Sequence, residues 1–542
     1  MNFDGPNSRG PDAEALAVTG GEITAVGSTA EIKAMAAGAR VIDAKGATVL
    51  PGFIDSHVHL FSGGAELNFL NLYEVSGADA LAAAIADYST NRPDDALLFA
   101  SAIDYQIFGD RPITRQDLDA ASPDRPFAAM TSDHHTVYAN TKALEMAGLL
   151  HGREVAEGSE VVMGADGTAT GELLEAAAFE PVLALSPYGG RELLGMTTGA
   201  NPIPAPTKAE RERDKDALAA GLAHCASHGI TSLHNMDGNF YQLELLAELE
   251  AEGRLLCRTE VPMHLKHTDP VTRVDEALDM RAKYNSDMLW CRRVKMFMDG
   301  VIDSRTAFML QPYPGTDTCS APLFSDAQFK EACIRADAAG LQISVHAIGD
   351  AAIRQTLDGY EEAGKVNGAR DSRHRIEHLE VMSPDDIPRL AALDVVASIQ
   401  PLHSPRGGFF PPYPPDSVIH GWQIEHAFAW KAIRDTGAKV IFSTDWPVVP
   451  VDVMSTIQGA VAGVELPDIW PDQRQGLRET LRSYTQDNAW VEFNEDRKGR
   501  LAPGMMADIV IMDSDLEATP PDQLGQTRAA VTICGGRVTW EA

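Results

Sequence analysis

Positive charge and cysteine are both scarce in this chain. Lys and Arg number 45 against 78 Asp and Glu, a formal net charge of −33, which repels phosphate backbones and argues against nucleic acid as a partner. The acidic residues are spread along the sequence, with no acidic tail, and so read as solvated surface. The six cysteines (225, 257, 291, 319, 333 and 534) form no C-x-x-C pair. That argues against a zinc ribbon or a dense disulfide framework and fits a reducing compartment. No uninterrupted apolar run reaches membrane-spanning length; the stretch VIFSTDWPVVPVDVMSTIQGAVAGV carries Asp445 and Asp452, so no membrane association is expected. The opening MNFDGPNSRGPD has neither a basic nor an apolar leader region, so no secretory signal is expected and the cytoplasm is the expected compartment.

What is present is an ordinary globular composition, 44% hydrophobic and 23% charged, over 542 residues. That length predicts two or three structural units. Eight short apolar runs stand out: VLPGFIDSHVHL, GITSLHNM, LLCRTEVPMHL, RRVKMFMDG, LQISVHAIGD, RHRIEHLEV, DVVASIQP and AKVIFSTDWPV. Helix-compatible segments lie between many of them, among them the segment that opens with a T-x-x-E capping box at Thr207 and Glu210,. Alternation at that count predicts an α/β fold, a (β/α)8 TIM-like barrel formed by residues 51–60 and 207–499. Short strands at 1–50 and 500–542 predict a small β-sandwich built from the N- and C-terminal segments. Residues 61–206 are too long for one crossover and predict an inserted α/β subdomain after strand 1, serving as a lid or a dimerisation platform.

His57 and His59 in PGFIDSHVHL share one side of a strand, because side chains alternate. Alone this means little, since about half an H-x-H arises by chance at this histidine content. Further polar groups end or interrupt the apolar runs at Lys295, His346, His378 and Asp445. In a parallel barrel such strand ends meet at one mouth, where pockets form. Imidazole and carboxylate donors without thiolate suit Zn²⁺, with Mn²⁺, Fe²⁺ or Co²⁺ as substitutes.

With these motifs, and with HHTVYANTKALEMAGL, VKMFMDGVIDSRTA, SYTQDNAWVEF and KGRLAPGMMADIVIMD, the chain resembles the amidohydrolase superfamily and most closely its family 3 branch. The resemblance implies a metal-dependent hydrolase of C–N bonds acting on a small molecule. It implies His57, His59 and Asp445 as ligands of one zinc ion, and His346 and His378 as ligands of a second. Lys295 falls where many members carry a carboxylated lysine bridging both ions; pairing with Asp299 is its plain alternative. A bound zinc lowers the pKa of its water from about 15.7 to near 7, and Asp445 would carry the proton to the departing amine.

Weaker candidates for substrate contact are His135, which aligns better than His134, Arg305 and Trp446. Arg305 could grip a carboxylate or order its own loop. Asp350 reads as a cap for the following helix, and Glu380 as structural. A mononuclear deaminase is the rival enzyme reading, but a strand-5 H-x-x-E glutamate is missing, since His346 is followed by Ala347, Ile348, Gly349 and Asp350. A non-catalytic scaffold would show substituted ligands, and none is substituted. A homodimer is one expectation for the assembly.

Overall fold

The computed structural model describes residues 1, 13–36, 38–109, 111–132, 134–156 and 159–542. The chain is α/β and divides into two compact units, residues 1–59 with 222–542, and residues 60–221.

Each of the eight apolar runs contains a strand of the first unit. Phe53–Val58, Ile230–Asn235 and Arg258–Glu260 are joined by Leu289–Trp290 in one four-stranded parallel sheet. Met263–His264, Arg293–Phe297, Gln342–Ala347, Arg375–His378, Val396–Ile399 and Val440–Phe442 form a six-stranded parallel sheet in that order. Parallel strands covered on both faces read as near-continuous apolar runs, and Phe53–Val58, Ile230–Asn235 and Gln342–Ala347 are buried at every position.

The run LLCRTEVPMHL supplies a strand to each sheet, Arg258–Glu260 to one and Met263–His264 to the other. Pro262 lies in the break and has no N–H to give a ladder. Gly238 passes so close that a Cβ there would lie 1.6 Å from the Pro262 carbonyl oxygen. The outer strands also communicate: the Asp445 N–H donates to the His57 carbonyl at 2.9 Å, and the His59 N–H to the Trp446 carbonyl at 2.8 Å.

Helices cross between the strands. Asp326–Ala338 starts at Ser325, whose side chain accepts the Gln328 N–H. Asp350–Asn367 has Gly349 as its N-cap, which corrects the capping role expected of Asp350. Asp350 instead accepts the Leu310 N–H at 2.7 Å and a Gln423 side-chain N–H at 3.3 Å. At the chain ends, Val49–Pro51, Ile509–Met512, Ala529–Cys534 and Arg537–Glu541 form an antiparallel sheet. Ala15–Thr19 and Glu22–Gly27 form a hairpin, and Ile23 shares an apolar cluster with Leu501, Ile509, Ile511, Val531 and Ile533.

Residues 60–221 hold a six-stranded mixed sheet of their own, in the order Leu70–Asn71, Leu98–Ile103, Phe127–Thr131, Thr136–Ala139, Ala169–Leu174, Glu160–Met163. Its core gathers Leu81, Ile85, Leu98, Ile103, Leu118 and Phe127. Helix Lys208–Ser227 is entered through the reciprocal Thr207–Glu210 cap. Among the described residues no helix is long and apolar enough to cross a membrane.

The terminal sheet is tied to the parallel strands by a buried ion pair. Arg258 Nε and Nη2 donate to the two Asp508 oxygens at 2.8 and 3.0 Å, and Asp508 Oδ1 also accepts the Gly535 N–H at 2.7 Å. Removing one member strands a buried charge. D508A is therefore expected to lose about 3–5 kcal/mol in denaturant unfolding; a midpoint matching wild type would contradict this account of the tie.

Candidate metal centre

Strand polarity decides where the candidate side chains meet. His57 lies on Phe53–Val58, Lys295 on Arg293–Phe297, His346 on Gln342–Ala347 and His378 at the end of Arg375–His378. His59 and Asp445 follow their strands by one and three residues. The imidazole centroids run in an arc, with His59–His57 at 5.4 Å, His57–His378 at 4.9 Å and His378–His346 at 4.5 Å.

Asp445 is the point of convergence. Its Oδ1 is 3.3 Å from His57 Nε2 and 3.2 Å from His59 Nε2. On the far side of each ring an acceptor fixes the tautomer: His57 Nδ1 is 2.8 Å from Glu377 Oε2, and His59 Nδ1 is 2.6 Å from Asp237 Oδ1. A carboxylate accepts only, so each Nδ1 carries a proton, and the neutral His57 ring turns its Nε2 lone pair toward Asp445. His57 Nε2 and Asp445 Oδ1 are fully buried and make no hydrogen bond. Lone pairs facing one another in a buried site repel unless positive charge lies among them, and unmet buried polar atoms are costly. The donor set, two imidazoles and a carboxylate whose ligand atoms lie within 4.8 Å of one another, fits a divalent cation, and the carboxylates behind the rings are the usual outer partners of ligating histidine.

The electrostatics express the same demand. Burial pushes His57 down to about 4. Burial also disfavours charge on His59, but Asp237 and Asp445 outweigh it and raise this ring to about 10. The two rings differ because burial prevails at His57, where the Lys295 charge adds to it, whereas two carboxylates prevail at His59; Arg375 grips both Glu377 oxygens at 2.5 and 2.8 Å. Asp445 is opposed by burial, yet the surrounding imidazoles hold its carboxyl well below the usual range. Asp445 and His378 both sit in the left-handed backbone region, at φ 65° and 77°. Such strain, of order 1–3 kcal/mol per residue, is held only where the surroundings impose it.

The remaining expected residues divide. Lys295 is fully buried, its Nζ lies 4.3 Å from the Phe297 ring centre and makes no hydrogen bond, and burial lowers it to about 8. Its plain alternative partner, Asp299, is occupied by the backbone N–H groups of Phe308, Ile348 and Gly349. His346 Nε2 donates to the Gly300 carbonyl at 3.1 Å, and its nitrogens stand outside the groups gathered on Asp445. Arg305 is exposed and donates to the Ser417 carbonyl at 3.2 Å, the loop-ordering alternative. Trp446 is buried with its ring 5.4 Å from that of His224. In the other unit, His135 Nδ1 is 3.0 Å from Glu175 and His134 Nε2 is 3.2 Å from Glu66.

Sequence reasoning missed His403, whose Nε2 is 3.6 Å from Asp445 Oδ2 and whose Nδ1 is 3.3 Å from Glu380 Oε1. It also missed the anchoring acceptors Asp237, Glu377 and Gln400. The available signal was position: QPLHS follows a strand run, as STDWP does.

The chain belongs to the amidohydrolase family, whose model matches residues 40–540. It is 27% identical to the protein LONG AFTER FAR-RED 3 of Arabidopsis thaliana, over 93% of this chain and 85% of that one. It is 25% identical to the N-substituted formamide deformylase of Arthrobacter pascens, over 99% and 96%. Among solved structures, an uncharacterized metal-dependent hydrolase from Pyrococcus furiosus superposes with a TM-score of 0.68 at 26% identity, covering 91% of this chain and 94% of that one.

Because Asp237 orients His59 without touching the other imidazoles of the centre, D237N is expected to weaken Zn²⁺ binding about 10–100-fold, measured by competition with a chromogenic chelator. Unchanged affinity would separate Asp237 from the centre.

Proposed function

We propose that this family member hydrolyses a C–N bond of a small molecule, an amide of the N-acyl or N-formyl kind, at a zinc site held by His57, His59 and Asp445. The observation that carries the reading is the convergence of two carboxylate-anchored imidazoles on Asp445 Oδ1. A divalent cation there supplies Lewis acidity, acidifying a water and polarising the carbonyl under attack. Mn²⁺, Fe²⁺ or Co²⁺ would serve the same donors.

The residues then divide the work. Asp445 accepts the proton released as water adds to the carbonyl carbon and returns it to the nitrogen as the C–N bond breaks, general acid–base work worth about 10²–10⁴-fold. Glu377 and Asp237 hold the two imidazoles in the tautomer that faces inward. Lys295 enters as a carboxylated residue: its neutral amine would take up carbon dioxide, releasing a proton and gaining two ligating oxygens. Full burial and an Nζ without a hydrogen bond support this role. The family resemblance assigns a second cation to His346 and His378.

The architectural reading goes with it. We take the two parallel sheets as arcs of one (β/α)8 barrel, supported by the run that feeds a strand to each sheet and by the hydrogen bonds from Asp445 to His57 and from His59 to Trp446. The terminal strands are taken as a β-sandwich and residues 61–206 as an inserted lid or dimer platform. A reducing, cytoplasmic setting agrees with the six free cysteines.

Turnover of N-formyl, N-acetyl and N-aryl amides by zinc-loaded protein tests the reading, alongside lactams and carbamates. Hydrolysis is expected to stop with a chelator, return with zinc, and fall about 10²–10⁴-fold in kcat/KM in D445N. Chelator-insensitive turnover, or no turnover by protein holding stoichiometric zinc, would contradict it. Ammonia release from nucleobases would favour the deaminase instead.

A further inference from the structure

We propose that His403 is a ligand of a second divalent cation, held with His378 and the Oδ2 oxygen of Asp445. The inference rests on the hydrolase reading only for the cation on the Oδ1 side.

His403 lies in the loop after the Val396–Ile399 strand and has the same chemical surroundings as His57 and His59. A carboxylate stands behind it, with Glu380 Oε1 3.3 Å from Nδ1. Its Nε2 is fully buried, makes no hydrogen bond and lies 3.6 Å from Asp445 Oδ2. The ring is thus placed between two carboxylates, Glu380 at Nδ1 and Asp445 at Nε2, and a cation on Nε2 would take the place of a proton there. The geometry of the Oδ1 side, an imidazole with an acceptor behind it and Asp445 before it, is therefore repeated on the Oδ2 side.

His378 completes the group. Its Nδ1 is 2.9 Å from Gln400 Oε1, and the Gln400 amide is oriented by donating its N–H to Ser443 Oγ at 2.8 Å. The amide oxygen thus faces the ring and Nδ1 carries the proton, with Asp445 Oδ2 3.8 Å from the same nitrogen, so the cation would be taken by Nε2. The His378 and His403 rings are parallel, 8° apart with centroids at 5.8 Å. Ligand atoms of His378, His403 and Asp445 all lie within 4.8 Å of one another. Asp445 thereby gives one oxygen to each of two three-residue groups, and Glu380 orients His403 as a positioning residue.

His346 belongs to neither three-residue group. Its Nε2 donates to the Gly300 carbonyl at 3.1 Å and lies 3.8 Å from Asp299 Oδ1.

The test is zinc stoichiometry. Protein stripped with a chelator is reloaded with Zn²⁺, desalted, and its zinc per chain measured by plasma emission, with near-UV circular dichroism reporting the fold. Two zinc ions are expected in wild type and one in H403A and H403N. E380Q keeps the ring and is expected to weaken the second zinc about 10–100-fold, which decides the matter if the His403 variants lose their native spectrum. Two zinc ions in natively folded H403A, or an unweakened second site in E380Q, overturn the proposal. The rival pattern, one zinc in H346A and two in H403A, also overturns it. One zinc in an active wild type sinks this proposal and leaves the hydrolase reading intact, whereas no zinc in wild type sinks both.

Discussion

The gathering of buried imidazoles around the Asp445 carboxylate governs this structure. Four oriented groups behind the rings, Glu377, Asp237, Gln400 and Glu380, commit the Nδ1 atoms of His57, His59, His378 and His403. His57 and His59 turn Nε2 toward Asp445 Oδ1 and His403 turns Nε2 toward Oδ2, while His378 approaches Oδ2 through Nδ1 at 3.8 Å. Among the buried atoms, His57 Nε2, His403 Nε2 and Asp445 Oδ1 make no hydrogen bond, and burying such atoms unmet is costly. A cation converts that cost into coordination, and the burial that makes the empty arrangement unfavourable makes the filled one tight.

Much of the surrounding architecture reads as support for that carboxylate. Asp445 follows the Val440–Phe442 strand and adopts a left-handed backbone, with its N–H fixed on the His57 carbonyl. Thr444, one residue earlier, is held on both oxygens of buried Asp55, the residue two before His57. Arg375 holds Glu377 from the opposite side while Glu377 holds His57. The chain of contacts runs from guanidinium to carboxylate to imidazole to carboxylate, and each member limits the rotamers of the next.

How far this was legible in the sequence depended on how local the signal was. His57 and His59 declared themselves through strand alternation, and Lys295, His346, His378 and Asp445 through polar interruption of apolar runs. The eight strand segments were likewise legible, because strands buried on both faces leave continuous apolar runs. His403 lay four residues beyond its strand in a proline-rich loop, where no periodicity applies. Glu380 read as structural because its partner, 23 residues away, was not under consideration. Glu377 was hidden for a stronger reason: its bond to His57 spans 320 residues of chain, and pairing at that distance is set by topology, which composition and periodicity do not encode. Asp350 was misplaced by one position at a helix start, where glycine took the cap and the carboxylate went to a neighbouring loop.

The central claim is that the Asp445 carboxylate and its facing imidazoles exist to hold a cation. Anomalous diffraction at the zinc edge, from crystals of zinc-reloaded protein, addresses it most directly. The account predicts an anomalous peak about 2.0–2.2 Å from His57 Nε2, His59 Nε2 and an Asp445 oxygen. A fully reloaded crystal with no peak at that position, or with its zinc bound elsewhere, would contradict it.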